Sequence, residues 1–74
     1  MVAQIWVGSI LTKEFKETYK EFTEYDEFKE YFDELVKKYG INNIFIYFPN
    51  LKELYKGDEL DGNSVTIKYD WRFY

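Results

Sequence analysis

The chain has no cysteine and no histidine, and only one proline, one methionine and four glycines among 74 residues. Without cysteine there is no disulfide, no thiolate metal site and no thiol nucleophile. Without histidine the commonest general base and metal ligand are missing, so Ser9 and Ser64 have no imidazole to activate them. Neither GxGxxG nor GxxxxGKS/T occurs, so Gly8-Ser9 is not part of a phosphate loop. No apolar run approaches the roughly 18 residues of a membrane span. The opening MVAQIWVGSIL lacks the basic n-region of a secretory leader. These absences point to a soluble cytoplasmic protein in a reducing compartment, with no membrane partner. Ten basic residues face fourteen acidic ones, a net charge of −4. That excess argues against direct nucleic-acid binding, which needs a positive footprint.

A chain this short forms a single domain over residues 1–74. A core of that size buries only about 60% of the unfolded surface and has little margin. Seven Phe, eight Tyr and two Trp answer that shortage. Each ring buries roughly 150–250 Å², so a few of them fill the space that many aliphatic side chains occupy in a longer chain. Some of the tyrosines can equally form a binding surface, where Tyr is enriched.

Local signals divide the chain into elements. Val2 to Val7, VAQIWV, is apolar on both faces and reads as an inner strand, with Gly8-Ser9 as a bulge or turn. Residues 12–22 fit a helical stripe through Phe15, Thr18, Tyr19 and Phe22. A helix running on past Thr23 wastes the cap there, so a strand over 15–22, in a hairpin with the first, is favoured. From Thr23 to Tyr39 every signal agrees on an amphipathic helix. Thr23 caps it with Asp26 three residues on, and the stripe is Tyr25, Phe28, Tyr31, Phe32, Leu35, Val36 and Tyr39. Lys37 and Lys38 suit its last turn, and Gly40 with Ile41 suits a Schellman ending. Ile44 to Phe48 is a buried strand that Pro49 ends. Asn50 and Glu53 suggest a single helical turn carrying Leu51, Leu54 and Tyr55, stopped by Gly57. Asp61-Gly62-Asn63-Ser64 marks a turn, and Val65, Ile67, Tyr69, Trp71 and Phe73 alternate as a last strand.

The expected fold is therefore α+β: a small two-layer sandwich, ββαββ or βαββ. It has a three- to four-stranded, mostly antiparallel sheet and one amphipathic helix packed on one face. Its expected core is Phe28, Phe32 and Leu35 from the helix, with Ile5, Val7, Ile44, Ile46, Ile67 and Trp71 from the strands.

The acids are concentrated. Residues 21–34 hold seven carboxylates (Glu21, Glu24, Asp26, Glu27, Glu30, Asp33, Glu34) against Lys29, so this stretch carries −6 and the other residues +2. Carboxylate pairs at helical spacing have three readings: a hard-cation site, an acid–base pair or a solvated face. They lie opposite the apolar stripe, which favours the solvated face, with no metal, no cofactor and no catalytic residue. The segment GDELDGNS is not a calcium loop. Setting Gly62 at its sixth position puts Gly57 at the first and Lys68 at the twelfth.

A solvated acidic face is a surface to offer a basic protein. A helix rises about 1.5 Å per residue, so the acidic stretch spans roughly 20 Å with about one charge per 3 Å. One DNA strand spaces its phosphates about 3.4 Å apart. The order IWVGSI, a polar stretch, then ETYKEF entering a Thr-capped acidic helix resembles the opening module of ArdA-type antirestriction proteins, over residues 1–40. That family consists of acidic DNA mimics from mobile elements that inhibit type I restriction enzymes. The resemblance implies a small phage or mobile-element inhibitor, a class that also includes anti-CRISPR proteins. It transfers no individual residue.

The expectation is thus a non-enzymatic protein-binding inhibitor of a nucleic-acid-handling complex, monomeric or homodimeric. Glu24, Asp26, Glu27, Glu30, Asp33 and Glu34 supply charge, and Tyr25 and Tyr31 act as anchors. The alternatives are a structural or regulatory interaction domain that pairs through its sheet edge, or a designed fold with no intrinsic partner.

Overall fold

The computed structural model describes residues 1–60 and Trp71. Within them the chain runs β1 (Val2–Ser9), β2 (Glu14–Glu21), α1 (Tyr25–Tyr39), β3 (Ile44–Phe48) and β4 (Glu53–Lys56). Short 3-10 turns lie at Ile41–Asn43 and Gly57–Leu60. The strands make one antiparallel sheet in the order β2-β1-β3-β4, and α1 packs on one of its faces. This is the α+β two-layer arrangement expected from the sequence.

Period-two alternation decides which side of the sheet the helix covers. Ala3, Ile5 and Val7 of β1 and Ile44, Ile46 and Phe48 of β3 are buried toward α1, against Phe28, Phe32 and Leu35. Phe28 is the hub. Its ring lies 5.4 Å from Phe22, 5.9 Å from Phe32, 5.7 Å from Phe48 and 5.1 Å from Trp71. Met1, Ala3, Phe22, Phe48 and Leu60 join the core beyond the set expected. The Met1 α-amino group donates to the carbonyls of Phe22 at 2.7 Å and Trp71 at 3.0 Å. Burial pushes its pKa below the ordinary value, while the Glu21 carboxylate pulls the other way.

Residues 14–21 form a strand paired with the whole of β1, from Val2↔Glu21 to Ser9↔Glu14. Gly8 and Ser9 end β1 rather than forming a bulge. A Cβ on Gly8 would fall on the Glu14 carbonyl oxygen, so the two backbones approach only because the residue is glycine. The loop over 10–13 closes with the Lys13 N–H donating to the Ser9 carbonyl at 2.8 Å, and Lys13 has φ 61°.

Two helix signals act differently from expectation. The N-cap is Glu24, in extended backbone and without a side-chain cap bond. Thr23 is thereby one residue outside, and its hydroxyl donates to Glu27 Oε1 at 2.6 Å. At the other end Gly40 has φ 89° and ψ 146°, a region open to glycine alone, and its N–H donates to the Val36 carbonyl at 2.9 Å. That is a single C′-to-C3 bond, not the paired bonds of a Schellman motif, and Asn43 satisfies a further end carbonyl, its Nδ2 donating to that of Tyr39 at 2.6 Å. Asn43 Oδ1 also accepts the Ile10 N–H at 3.1 Å, which ties the end of α1 to the β1–β2 loop.

The helical turn expected around Asn50 is absent. Residues 49–52 are instead a hairpin loop. Leu51 N–H donates to the Phe48 carbonyl at 3.0 Å, and Lys52 takes φ 54°. Glu53–Lys56 then pairs with β3 in the register Phe48↔Glu53 to Phe45↔Lys56. The few residues between Pro49 and Gly57 are too short for a helix to nucleate alone, whereas a strand gains a full ladder with β3. The turn at 61–64 and the strand from Val65 to Tyr74, with Ile67, lie outside the described residues. Trp71, which that pattern sets in the strand, has 3-10 backbone and is buried.

Candidate functional site

Helical geometry sorts the acidic residues. Phe28, Phe32 and Leu35 point into the core, so every carboxylate of α1 is turned outward. Glu24, Asp26, Glu27, Glu30, Asp33 and Glu34 are all exposed. Asp33 is paired with Lys29 at 3.1 Å, four residues before it. Glu21 stands apart from the others. It ends β2, opposite Val2, on the sheet face away from the helix.

Tyr25 and Tyr31 are both half-buried but do not share one site. At about 100° per residue, six positions separate them by roughly 240° around the helix. Tyr25 packs edge-on to Trp71, with centroids 5.5 Å apart. Tyr31 turns to the other flank, 5.8 Å from Phe22.

The Tyr31 flank carries the more specific geometry. Between α1 and β2 runs a groove of about 250 Å³ lined by Lys20, Phe22, Glu27, Glu30, Tyr31 and Glu34. It continues toward the helix C-terminus as a second hollow of about 270 Å³, where Tyr31 and Glu34 meet Lys16, Thr18 and Lys38. Phe22 and Tyr31 form an aromatic floor and three carboxylates form the rim. The Lys20 ammonium lies over the Tyr31 ring, 4.2 Å from its centroid. A cation on an aromatic face beside carboxylates is a stable arrangement, so the groove suits guanidinium or ammonium groups. Among the described residues no group of three or more acidic side chains is arranged to hold a metal ion.

Sequence reasoning found the carboxylates and Tyr31 but missed Lys16 and Lys20. Their side follows only from the register that pairs Val7↔Lys16 and Ala3↔Lys20, which places them beside residues that face the helix. It also missed the other face of the sheet. β1 and β3 are inner strands in the plane of the sheet, as their two-sided apolar character suggested, but α1 covers only one side. Trp6, Phe15, Phe45 and Leu54 line a shallow depression of about 300 Å³ on the side the helix leaves open.

Among the described residues no helix is long and apolar enough to cross a membrane. Comparison with family models, curated proteins and solved structures finds no match.

Proposed function

We propose that the chain is a small, non-enzymatic inhibitor of the antirestriction or anti-CRISPR type that sets its acidic helix into the basic surface of a nucleic-acid-handling complex. The observation that carries this reading is the groove beside Tyr31. A lysine already rests there against an aromatic floor, under a rim of Glu27, Glu30 and Glu34. An arginine or lysine from a partner would meet the same groups. Around the groove, the six exposed carboxylates from Glu24 to Glu34 span roughly 15 Å of rigid helix, which gives a charge spacing close to that of one DNA strand. Such a surface steers a basic partner over long range and makes association sensitive to salt.

The test is capture from bacterial lysate by the wild type and by a triple variant, Glu27→Lys, Glu30→Lys and Glu34→Lys. All three positions are exposed, so the variant keeps its core. The expected result is a basic nucleic-acid-handling complex held by the wild type, released by salt or by added duplex DNA, and not held by the variant. Equal retention of the same proteins by the variant would sink the reading.

A further inference from the structure

We infer that the open face of the sheet is the interface of a homodimer, formed by two copies packing face to face. The strand register sets out this face in rows. One row reads Glu17, Trp6, Phe45, Lys56 from β2 to β4, and the next reads Tyr19, Gln4, Tyr47, Leu54. In β1 and β3 they alternate with residues buried toward α1, and the register carries the same face across β2 and β4, so all of them point away from the helix. Leu54 is 60% exposed, Tyr19 63% and Phe15 39%. Ile10, 48% exposed, extends the patch past Phe45 and Lys56.

Tyr19, Leu54, Ile10 and Phe15 keep between 39% and 63% of their surfaces exposed and Trp6, Phe45 and Tyr47 are partly exposed between them. With roughly 150–250 Å² for a whole ring, this face offers on the order of 600 Å² of mostly apolar surface per copy. A patch of that size is at the upper end of what a monomer leaves open, about 300–600 Å², and patches that large are often functional. Two such faces together bury about 1,200 Å², the lower end of a standard interface.

Charge selects the occupant. In one row the acid Glu17 stands on the β2 side, the base Lys56 on the β4 side, and Trp6 and Phe45 between them. A two-fold axis parallel to the strands and passing between β1 and β3 lays β2 of one copy over β4 of the other. Each Glu17 then faces the partner's Lys56, and the aromatic pairs meet at the centre. That is the self-complementary pattern an isologous interface requires. A uniformly acidic or basic partner would match one edge and repel the other. Both acidic helices stay on the outside of the dimer, so the inference is independent of the function proposed for α1.

The test is sedimentation equilibrium on the intact chain across a wide concentration range, with far-UV circular dichroism to check each fold. The wild type is expected to dimerise. Leu54→Glu, at a largely exposed position, is expected to raise the dimer dissociation constant at least about tenfold, the loss of one anchoring contact. Glu17→Lys and Lys56→Glu are each expected to weaken the dimer, and the double swap Glu17→Lys with Lys56→Glu to restore it. A wild type that stays monomeric at every concentration overturns the inference. So does a dimer that survives Leu54→Glu, or single charge reversals that leave its dissociation constant unchanged, both of which place the contact on another face.

Discussion

The Lys20 ammonium sits 4.2 Å from the centroid of the Tyr31 ring, joining the outer strand β2 to the flank of α1. A cation–π contact at such a partly solvated site is worth about 0.5–1 kcal/mol. Lys20→Ala is expected to lose that much in urea unfolding, and a double-mutant cycle with Tyr31→Leu to return a coupling of about 0.5 kcal/mol or more. Additive losses in the cycle would mean that the two side chains do not meet in solution.

Phe28 touches Phe22 just after β2, Phe48 of β3, Phe32 of its own helix, and Trp71. Phe28→Ala is expected to remove about 3–5 kcal/mol. A domain of this length has only about 4–11 kcal/mol in total, so the variant loses a large share of its margin and its Tm should fall sharply by circular dichroism. Phe28→Leu keeps most of the volume and should stay folded with a lower Tm.

Gly8 is fixed by the neighbouring strand, since a Cβ there would strike the Glu14 carbonyl. Gly8→Ala therefore forces β1 and β2 apart and is expected to cost about 3 kcal/mol, the upper range for overpacking. Gln4→Ala, elsewhere on the same strand, removes a hydrogen bond to Glu17 and should cost the fold much less, about 1 kcal/mol in the same denaturation series.

Among the described residues, the β1–β2 and β3–β4 loops each end on a lysine in left-handed backbone, Lys13 at φ 61° and Lys52 at φ 54°. That conformation costs an L-residue roughly 1–2 kcal/mol and costs glycine little, though glycine gives back part of the gain through the unfolded chain. Lys13→Gly and Lys52→Gly are each expected to stabilise by about 0.5–1 kcal/mol, seen as a rise in Tm. A fall in Tm for either would place that loop in another conformation.

The Met1 α-amino group gives stability a pH dependence. Burial lowers its pKa in the folded protein from the ordinary 8.0. Between the lowered value and 8.0 the unfolded chain binds more protons, so stability rises with pH across that window. Melts from about pH 6 to about pH 9, which bracket the ordinary α-amino range, should show the rise. An Nα-acetylated chain should lack it.

Elements whose local and global preferences coincide were legible from the residues alone. In α1 the stripe of Phe28, Phe32 and Leu35, the acids of the first turn and the glycine after Tyr39 all point to one helix, and only its first residue moved. β4 was not legible, because Leu51, Leu54 and Tyr55 mimic a helical stripe and its strand character comes entirely from pairing with β3. The acids of the candidate site could be read because periodicity places them opposite the core. The lysines facing them across the groove could not, since a strand's face is set by its register, and the register belongs to the assembled sheet. The open aromatic face escaped for a related reason. Apolar residues on both sides of β1 and β3 read as the mark of inner strands, which left unasked what lies on the face opposite the one helix among the described residues.

The central claim is that the α1 carboxylates bind a basic partner. Its most direct test is the dissociation constant of the purified complex as salt rises from about 50 to about 200 mM, a range over which surface charges become largely screened. The expected result is a dissociation constant that climbs at least about tenfold for the wild type, with the Glu27, Glu30 and Glu34 charge-reversal variant binding weakly at the lowest salt. A flat salt profile, shared by wild type and variant at equal affinity, would contradict the account.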